Sequence, residues 1–348
     1  MGNLLSQAKE CRAIYQFLLL GGIVGWHNIP ISADPGIIIG RKGSVGTVYY
    51  SSKPFYCIDT AYYIKPSRNY HLKFLYYLLK NLKLDRLNSD SAVPGLNRDN
   101  AYSQTFYLPP LDAQKKIAWI LSAFDDKIEL NNKINQNLEA LAQAILEKNI
   151  TNINTRKLGD IILFFNGYAF KSSTHANNGK FKIITIKNVL DGEIDSLNAS
   201  KINEKPSNLK EFCLLSIGDV LMSLTGNVGR VGIVYEQNLL LNQRVAKIVP
   251  YDKSHRGLIY FILRLSAIKA SLERIAKGTA QPNLSTIDAA NIPIPFSKDI
   301  PDDTKNILNS LFLKLISNFQ ESRRLAQLRD TLLPKLMSGE IDVSDVAV

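Results

Sequence analysis

Cysteine is scarce in this chain of 348 residues, and the three that occur lie far apart at Cys11, Cys57 and Cys213. None belongs to a C-x-x-C pair or stands beside a cluster of histidines, so the sequence supports neither a zinc site nor a disulfide framework. Scattered thiols of this kind are typical of a reducing compartment, and we expect the protein in the cytoplasm.

Long apolar runs are also missing. The most apolar stretch, residues 17–24 (FLLLGGIV), is far shorter than the ~20 residues that a membrane-spanning helix needs. It also lacks the cleavage pattern of a signal peptide. The sequence therefore predicts no membrane partner.

Several motifs that hold nucleotides or metals are absent. The chain contains no P-loop, no G-x-G-x-x-G fingerprint, no zinc-ligand spacing and no N-P-P-Y-like tetrad of the kind that aminomethyltransferases carry. We therefore expect no catalytic residues, no metal and no cofactor in this chain.

What the sequence does contain is a long repeat. Residues 40–48 (GRKGSVGTV) return as residues 223–231 (SLTGNVGRV), and both glycines of the G-x-x-G turn recur at an offset of 183 positions. The offset persists further on, at 184 for His71 and His255 and at 188 for Leu96 and Leu284. A solenoid repeat would have a period of about 20–50 residues. The pattern therefore indicates a duplicated domain.

Positive charge is concentrated in two blocks. The formal net charge is +11, and Lys plus Arg exceed Asp plus Glu by 6 in residues 1–110 and by 7 in residues 151–300. The stretches 111–150 and 301–348 each carry a net charge of −1. Two basic blocks on near-neutral connectors favour a nucleic acid as the partner over a charge that serves only solubility.

Each copy of the repeat is followed by a long amphipathic helix. Residues 112–149 contain no Pro or Gly, and a second apolar stripe runs from about residue 302 to 333 and is predicted to stop at Pro334. Helices of about 30–38 residues are on the order of 45–57 Å long. Because both stripes are narrow, we expect the two helices to pack antiparallel as a coiled coil. The predicted seam residues are Phe124, Ile128, Asn131, Leu138, Leu315, Asn318, Leu325 and Leu328.

Two of these seam residues are polar. Asn131 and Asn318 are separated by 187 positions, as are the leucines around them. They either lie in the seam, where a polar residue fixes the register at some cost in stability, or lie exposed beside it.

The basic blocks have the pattern of mixed α/β domains. Short β-rich runs are separated by Gly, Asn and Pro turns, and a helix is predicted over residues 72–84 and again over 258–276. The expected fold is α+β, with two mixed α/β domains in a pseudo-two-fold repeat, separated by two long antiparallel coiled-coil helices. The predicted boundaries are residues 1–110, 111–150, 151–300 and 301–341, with a tail at 342–348.

Polar side chains around the shared turns are the candidate DNA-binding residues. They differ between the copies while the glycines do not, as expected if one scaffold carries different base-reading side chains, although neutral drift predicts the same. For those of the second shared loop, the alternative is an Asx-type turn. The candidates are Arg41, Lys42, Ser44, Asn97, Arg98, Tyr168, Lys171, Thr225, Asn227, Arg230, Gln281 and Asn283.

Several segments, in this order, resemble the specificity subunits of type I restriction-modification enzymes. They are residues 38–46 (IIGRKGSVG), 94–98 (PGLNR), 109–118 (PPLDAQKKIA), 157–160 (KLGD), 166–171 (NGYAFK) and 332–341 (LLPKLMSGEI). The resemblance covers about residues 35–341. It implies that each basic block is a target recognition domain that reads half of a bipartite site in double-stranded DNA, and that the helices space the two.

The resemblance also implies the partners and their cofactors. Such subunits are not catalytic themselves. They recruit two modification (methyltransferase) subunits, which hold S-adenosylmethionine, and through them the restriction (translocase and endonuclease) subunits, which use ATP and Mg.

The first copy departs from the family pattern. Only 42 residues precede Gly43, whereas 68 run from Leu158 to the residue before Gly226, and segments 157–160 and 166–170 have no counterpart in the first copy. We therefore expect weak or lost base discrimination at the first half-site. The alternatives are a structural subunit that binds modification subunits with impaired DNA specificity, and a stand-alone DNA-modifying enzyme.

Overall fold

The computed structural model describes residues 15–19, 22–87, 95–150, 154–278, 282–296 and 300–347. The chain divides into two compact units, unit 1 with residues 1–128 and 324–348, and unit 2 with residues 129–323. Each unit contains sheets and a part of both long helices. The domain limits drawn from the sequence, which set the helices apart from the basic blocks, remain predictions.

Unit 1 is built on two small sheets. Its strands are β1 (Tyr15–Leu19), β2 (Gly22–His27), β3 (Gly36–Gly40), β4 (Val48–Ser51), β5 (Phe55–Tyr56) and β6 (Ala61–Ile64). One sheet has the order β4-β3-β6 with antiparallel pairs, and the other has the order β2-β1-β5. All five residues of β3 (GIIIG) are buried, which is the expected pattern for a strand covered on both faces.

The helices of unit 1 pack against the β4-β3-β6 sheet. They are α1 (Leu72–Asn81), α2 (Arg98–Tyr102), the first half of α3 (Leu111–Ile150) and the last part of the C-terminal helix, α7 (Asp302–Ser338). Buried residues of α1 such as Phe74 and Leu78 join Leu121 of α3 and Leu336 of α7 in one core. The predicted helix over 72–84 ends earlier than expected, because Lys83 adopts a φ of +50° and a 3-10 turn begins at Leu84.

Gln114 ties two helix starts together in unit 1. It is 2 % exposed, its Oε1 accepts a hydrogen bond from the amide of His71 (2.8 Å), and its Nε2 donates to the carbonyl of Pro109 (2.8 Å). His71 in turn caps α1, since its Nδ1 accepts from the amide of Phe74 (3.4 Å). The glutamine of segment 109–118 is therefore a structural residue.

Unit 2 contains the fuller copy of the repeat. Its strands are β7 (Thr155–Lys157), β8 (Ile162–Asn166), β9 (Phe181–Ile184), β10 (Gly192–Glu193), β11 (Ser200–Ile202), β12 (Leu214–Leu215), β13 (Val220–Ser223), β14 (Val231–Ile233), β15 (Leu239–Leu241), β16 (Val245–Pro250) and β17 (Pro293–Pro295). They form sheets with the orders β10-β14-β13-β16-β8, β11-β9-β15-β12 and β17-β7.

The β4-β3-β6 sheet of unit 1 matches β14-β13-β16 of unit 2 residue by residue. In unit 1, Ile39 of β3 pairs with Val48 of β4. The residues 183 positions further on, Met222 of β13 and Val231 of β14, pair in the same way. In unit 2, β8 pairs with the outer edge of β16. The described part of unit 1 places no strand at the matching edge of β6.

The helices of unit 2 are α4 (Arg256–Leu263), α5 (Ser266–Ile275), α6 (Thr286–Ala290), the second half of α3 and the first part of α7. The single helix predicted over 258–276 is wrong, because the chain breaks at Leu265, which is extended (φ −60°, ψ 134°). No Gly or Pro marks this break in the sequence. Leu265 is buried there, and the preceding Arg264 binds acidic side chains across the unit.

The two long helices are antiparallel within each unit, which confirms the expected α+β fold with paired helices. In unit 1, Arg329 of α7 forms an ion pair with Asp125 of α3. In unit 2, Asn131 donates to Glu321 (2.9 Å), and Thr304, near the start of α7, contacts Asn149, near the end of α3. None of the helices in the described part of the chain is long and apolar enough to cross a membrane.

Helix α7 does not stop at Pro334, so that prediction is wrong. It continues to Ser338 and ends where Gly339 adopts the left-handed φ of +77° that is common at helix C-termini. Leu336 and Met337 are buried in the core of unit 1, and their burial holds the last turn in the helix.

The seam residues predicted from the sequence differ in their burial. Leu315 is fully buried, and Phe124, Ile128, Leu138 and Leu325 are half-buried. Leu328 is 43 % exposed, so its assignment to the seam is wrong. Arg329, one residue further on, takes the inward position and binds Asp125.

Both candidate seam asparagines are buried in unit 2. Asn131 and Asn318 are each 1 % exposed, and Asn318 Nδ2 donates to Asn135 Oδ1 at 2.7 Å. Of the two alternatives for these residues, the structure therefore shows the buried one. Asn135 Nδ2 has no partner among the described residues, which makes this pair an incompletely satisfied polar contact in the seam.

The pair formed by Asn135 and Asn318 is expected to set the register of the two long helices at a cost in stability. Asn318→Leu alone leaves the Asn135 oxygen buried without its donor, and we expect a loss of about 1–3 kcal/mol. The double variant Asn135→Leu/Asn318→Leu removes both polar groups, and we expect it to be near wild type or more stable. A double-mutant cycle by urea unfolding measures the coupling. Losses that simply add would contradict this account.

Candidate nucleic-acid interface

The glycine turn after β3 depends on its two glycines. Gly43 and Gly46 have φ values of 82° and 74°, in the left-handed region that side chains disfavour. A Cβ on Gly46 would lie 2.1 Å from the amide nitrogen of Asp85, so the chain packs directly against this turn. Gly226 and Gly229, after β13, have matching φ values of 73° and 76°.

In unit 1, main-chain hydrogen bonds bring the turn to the second shared loop. The amide of Leu96 donates to the carbonyl of Arg41 (2.8 Å), and Lys42 pairs with Gly95 in an antiparallel bridge. The two loops bound a cavity of about 600 Å³, which we call the first cleft. It is lined by Arg41, Lys42, Tyr62, Gly95, Leu96, Asn97 and Arg98.

The first cleft is cationic and has an aromatic wall. The guanidinium carbons of Arg41 and Arg98 lie 5.7 and 5.2 Å from the centroid of the Tyr62 ring, within the range of cation–π attraction. Tyr62 is anchored, since its hydroxyl donates to the carbonyl of Leu96 (3.3 Å). None of the described residues that line the cleft carries a carboxylate.

Unit 2 has the same frame at the matching positions. The amide of Leu284 donates to the carbonyl of Leu224 (2.7 Å), and Thr225 pairs with Asn283 in an antiparallel bridge. A cavity of about 550 Å³ lies there, which we call the second cleft. It is lined by Asn166, Leu224, Thr225, Gln243, Arg244, Asn283, Leu284, Ser285, Thr286 and Ile287.

Several polar candidates hold the loops together. Thr225 is 2 % exposed, and its hydroxyl donates to Asn283 Oδ1 (2.9 Å). Asn97 caps α2, since its Oδ1 accepts from the amide of Asp99 (2.8 Å), and Ser285 caps α6 in the same way (3.1 Å to the amide of Ile287). The oxygen of Asn97 therefore makes the Asx-type contact that was the alternative to base reading.

The remaining candidates lie outside the lining of the two clefts. Ser44 and Lys171 are exposed, and Tyr168 is half-buried, with its hydroxyl bound to Asn208 Oδ1 (3.0 Å). Asn227 and Arg230 lie on the turn after β13, where the Asn227 amide oxygen, when turned toward Arg230, accepts from its guanidinium at 3.2 and 3.3 Å. The candidate Gln281 falls outside the described residues.

Sequence reasoning missed several lining residues. Asn166, at the end of β8, opens the segment 166–171 but was not a candidate, and Gln243 and Arg244 directly precede β16. Arg244 occupies the position of Thr60 in unit 1. The amide of Leu224 donates to the carbonyl of Arg244 (3.1 Å), and the amide of Arg41 donates to the carbonyl of Thr60 (2.9 Å). Following the 184-residue offset would have found this position.

In unit 2, an ionic network joins the turn after β13 to helix α3. Arg264 binds Glu139 and Asp191 (2.8 Å to the latter) and also contacts the carbonyl of Val231, the residue after Arg230. Burial acts to raise the pKa of Asp191, but the hydrogen bond from Lys269 and the charge of Arg264 outweigh it and hold the pKa below its ordinary value. The turn is therefore fixed to a rigid support.

Unit 1 uses a related contact. Tyr77 donates to Asp125 Oδ2 (2.6 Å), and Arg329 neutralises that carboxylate. Burial and the nearby carboxylate raise the pKa of the Tyr77 hydroxyl, and burial raises that of Tyr76 to about 12. Both phenols therefore stay protonated at neutral pH, and the Tyr77 hydroxyl keeps the proton that it donates to Asp125.

Two duplicated recognition frames on paired helices define a nucleic-acid specificity protein, and the comparison with known families agrees. The family model for the type I restriction modification DNA specificity domain matches residues 27–140 and 151–320. The chain belongs to this family. Its function is DNA sequence specificity within a type I restriction-modification system.

Curated relatives carry the same description. The chain is 26 % identical over 307 residues to the type I restriction enzyme MjaVIII specificity subunit of Methanocaldococcus jannaschii, covering 78 % of this chain and 71 % of the relative. It is 25 % identical to the MjaIX specificity subunit of the same organism (89 % and 78 % covered). It is also 25 % identical to the HindI specificity subunit of Haemophilus influenzae (82 % and 81 %).

A solved structure has a similar fold. The S subunit of the type I restriction-modification system from M. genitalium superposes with a TM-score of 0.55 at 21 % identity, covering 94 % of this chain and 89 % of that one.

The glycine turns offer two variants that differ in what an added Cβ would contact. Gly46→Ala places a Cβ against the backbone at Asp85, which no side-chain movement relieves, and we expect unit 1 to lose its fold. Gly226→Ala meets only Ile186 Cδ1 at 3.8 Å, so we expect just the left-handed φ cost of about 1–2 kcal/mol. Thermal melting and limited proteolysis compare the two. Equal destabilisation would show that packing at Asp85 is unimportant.

Proposed function

We propose that the chain binds a bipartite site in double-stranded DNA, with the first cleft and its turn facing one half and the second cleft and its turn facing the other. The observation that carries this proposal is the repeated main-chain frame, in which Leu96 and Leu284 donate to the carbonyls of Arg41 and Leu224. One frame with two different sets of side chains is what two different half-sites require.

We further propose that the chain contributes recognition and assembly and that its partners perform the chemistry. Two modification subunits would hold S-adenosylmethionine, and restriction subunits would use ATP and Mg. The family match supports this division, because the relatives that the chain resembles are named as specificity subunits of type I restriction enzymes.

A second candidate function is a structural subunit that binds modification subunits but discriminates bases poorly at the first half-site. It is favoured by the described lining of the first cleft, which holds one side-chain amide, Asn97, where the second cleft holds Asn166, Gln243 and Asn283. The two candidates differ in one measurable respect, which is the number of defined base pairs at the first half-site.

Single-molecule methylation mapping with the cognate modification subunits tests both candidates. We expect a motif with two parts, a fixed spacer and less sequence discrimination in one part than in the other. Equal discrimination in both parts contradicts the impaired first half-site. Methylation or cleavage of DNA by the purified chain alone would instead establish a stand-alone enzyme.

The modular assignment predicts a one-sided effect of substitutions in unit 2. Asn227→Ala/Arg230→Ala removes two polar side chains of the turn after β13, and Asn166→Ala/Gln243→Ala removes two amides of the second cleft. We expect each double variant to relax the same half-site and to leave the other unchanged, as read from the methylated motif. Equal changes in both half-sites would rule out one unit for each half.

A further inference from the structure

We propose that the first cleft binds phosphate groups of duplex DNA and supplies sequence-independent affinity, while base discrimination rests mainly with unit 2. This inference rests on the proposed function, in that both units face the same DNA. It assigns a ligand class to a cleft in which Arg41, Lys42 and Arg98 converge around Tyr62.

The strongest support is a position-by-position exchange of charge between the clefts. Because the main-chain bonds match, each lining residue of the first cleft has a defined counterpart in the second. All three cations of the first cleft are replaced by uncharged residues in the second, and the tyrosine that forms the aromatic wall is replaced by an alanine. The counterparts are Arg41 and Leu224, Lys42 and Thr225, Arg98 and Thr286, and Tyr62 and Ala246.

The geometry of the two arginines suits an anion. Both guanidiniums lie over the Tyr62 ring, which orients them, and the ring is itself held by the carbonyl of Leu96. Two like charges over one ring repel each other, and an anion between them removes that repulsion. A guanidinium also presents parallel N–H donors that match the oxygens of a phosphate.

The first cleft has fewer ways to tell bases apart than the second, since its cations can read only acceptor edges such as O6 and N7 of guanine. Its cations are donors only, and the oxygen of Asn97, its one side-chain amide, is already engaged as a helix cap. The second cleft combines the amides of Asn166 and Gln243 with Arg244, which gives it both donors and acceptors. Base edges in the major groove differ in their order of donors and acceptors, so the second cleft is the better reader.

The test measures how DNA binding by the full-length chain depends on salt. Each phosphate that a protein neutralises contributes about 0.9 to the slope of log Kobs against log salt. For Arg41→Gln/Arg98→Gln, we expect the slope to fall by about 2, with the same weakening on any duplex. The motif methylated by the assembled complex stays unchanged. An unchanged slope, or an altered base at either half-site, overturns the proposal.

A second variant and a control exclude other causes. Lys42→Gln changes an exposed side chain of the first cleft and is expected to lower the slope by about 1, even if the double variant fails to fold. Lys53→Gln removes the same charge from an exposed position of unit 1 outside the cleft, and we expect no change. An equal effect of both substitutions would mean that only the net charge matters and would overturn the proposal.

The same measurement separates this inference from the proposed function. Binding to random duplexes reports on the first cleft even if no motif is methylated. A slope that falls as expected, together with an absence of sequence-specific methylation, would refute the proposed function and leave the phosphate cleft standing. An unchanged slope in the unit 1 variants, together with a methylated bipartite motif, would do the reverse.

Discussion

The clefts exist because the same main-chain hydrogen bond joins the two loops of each cleft. In unit 1 the carbonyl of Arg41 accepts from the amide of Leu96, and in unit 2 that of Leu224 accepts from the amide of Leu284. Left-handed glycines then turn each chain back into the next strand. Since this frame uses backbone groups, the side chains that project into the cleft can change without disturbing it, and they differ at nearly every lining position.

The parts of the fold that could be predicted are those with a local cause. Glycine turns recur because a positive φ requires them, and α3 was anticipated nearly to the residue because its apolar periodicity is unbroken from Leu111 onward. The break at Leu265 and the passage of α7 through Pro334 could not be predicted, since burial against distant elements decides both. Tyr62 was missed for the same reason, because only the pairing of β3 with β6 brings its ring close to two arginines that lie far apart in sequence.

The edge strand β8 of unit 2 contributes both to a sheet and to the second cleft. In unit 2, β8 pairs with β16 along five residues, and its last residue, Asn166, lines the cleft. The described part of unit 1 has no strand at the matching edge of β6, and Asn97 is the one side-chain amide in the lining of its cleft. The cationic residues of the first cleft then act on DNA through charge, which needs less exact placement than base reading does.

Gln114 has a consequence beyond its own two hydrogen bonds. Its side-chain oxygen must face the amide of His71 and its side-chain nitrogen the carbonyl of Pro109, so only one orientation of the side-chain amide satisfies both partners. A carboxylate of the same shape would place an acceptor against an acceptor. One side chain therefore carries both hydrogen bonds, and its loss would remove the contact between the starts of α1 and α3 in a single substitution.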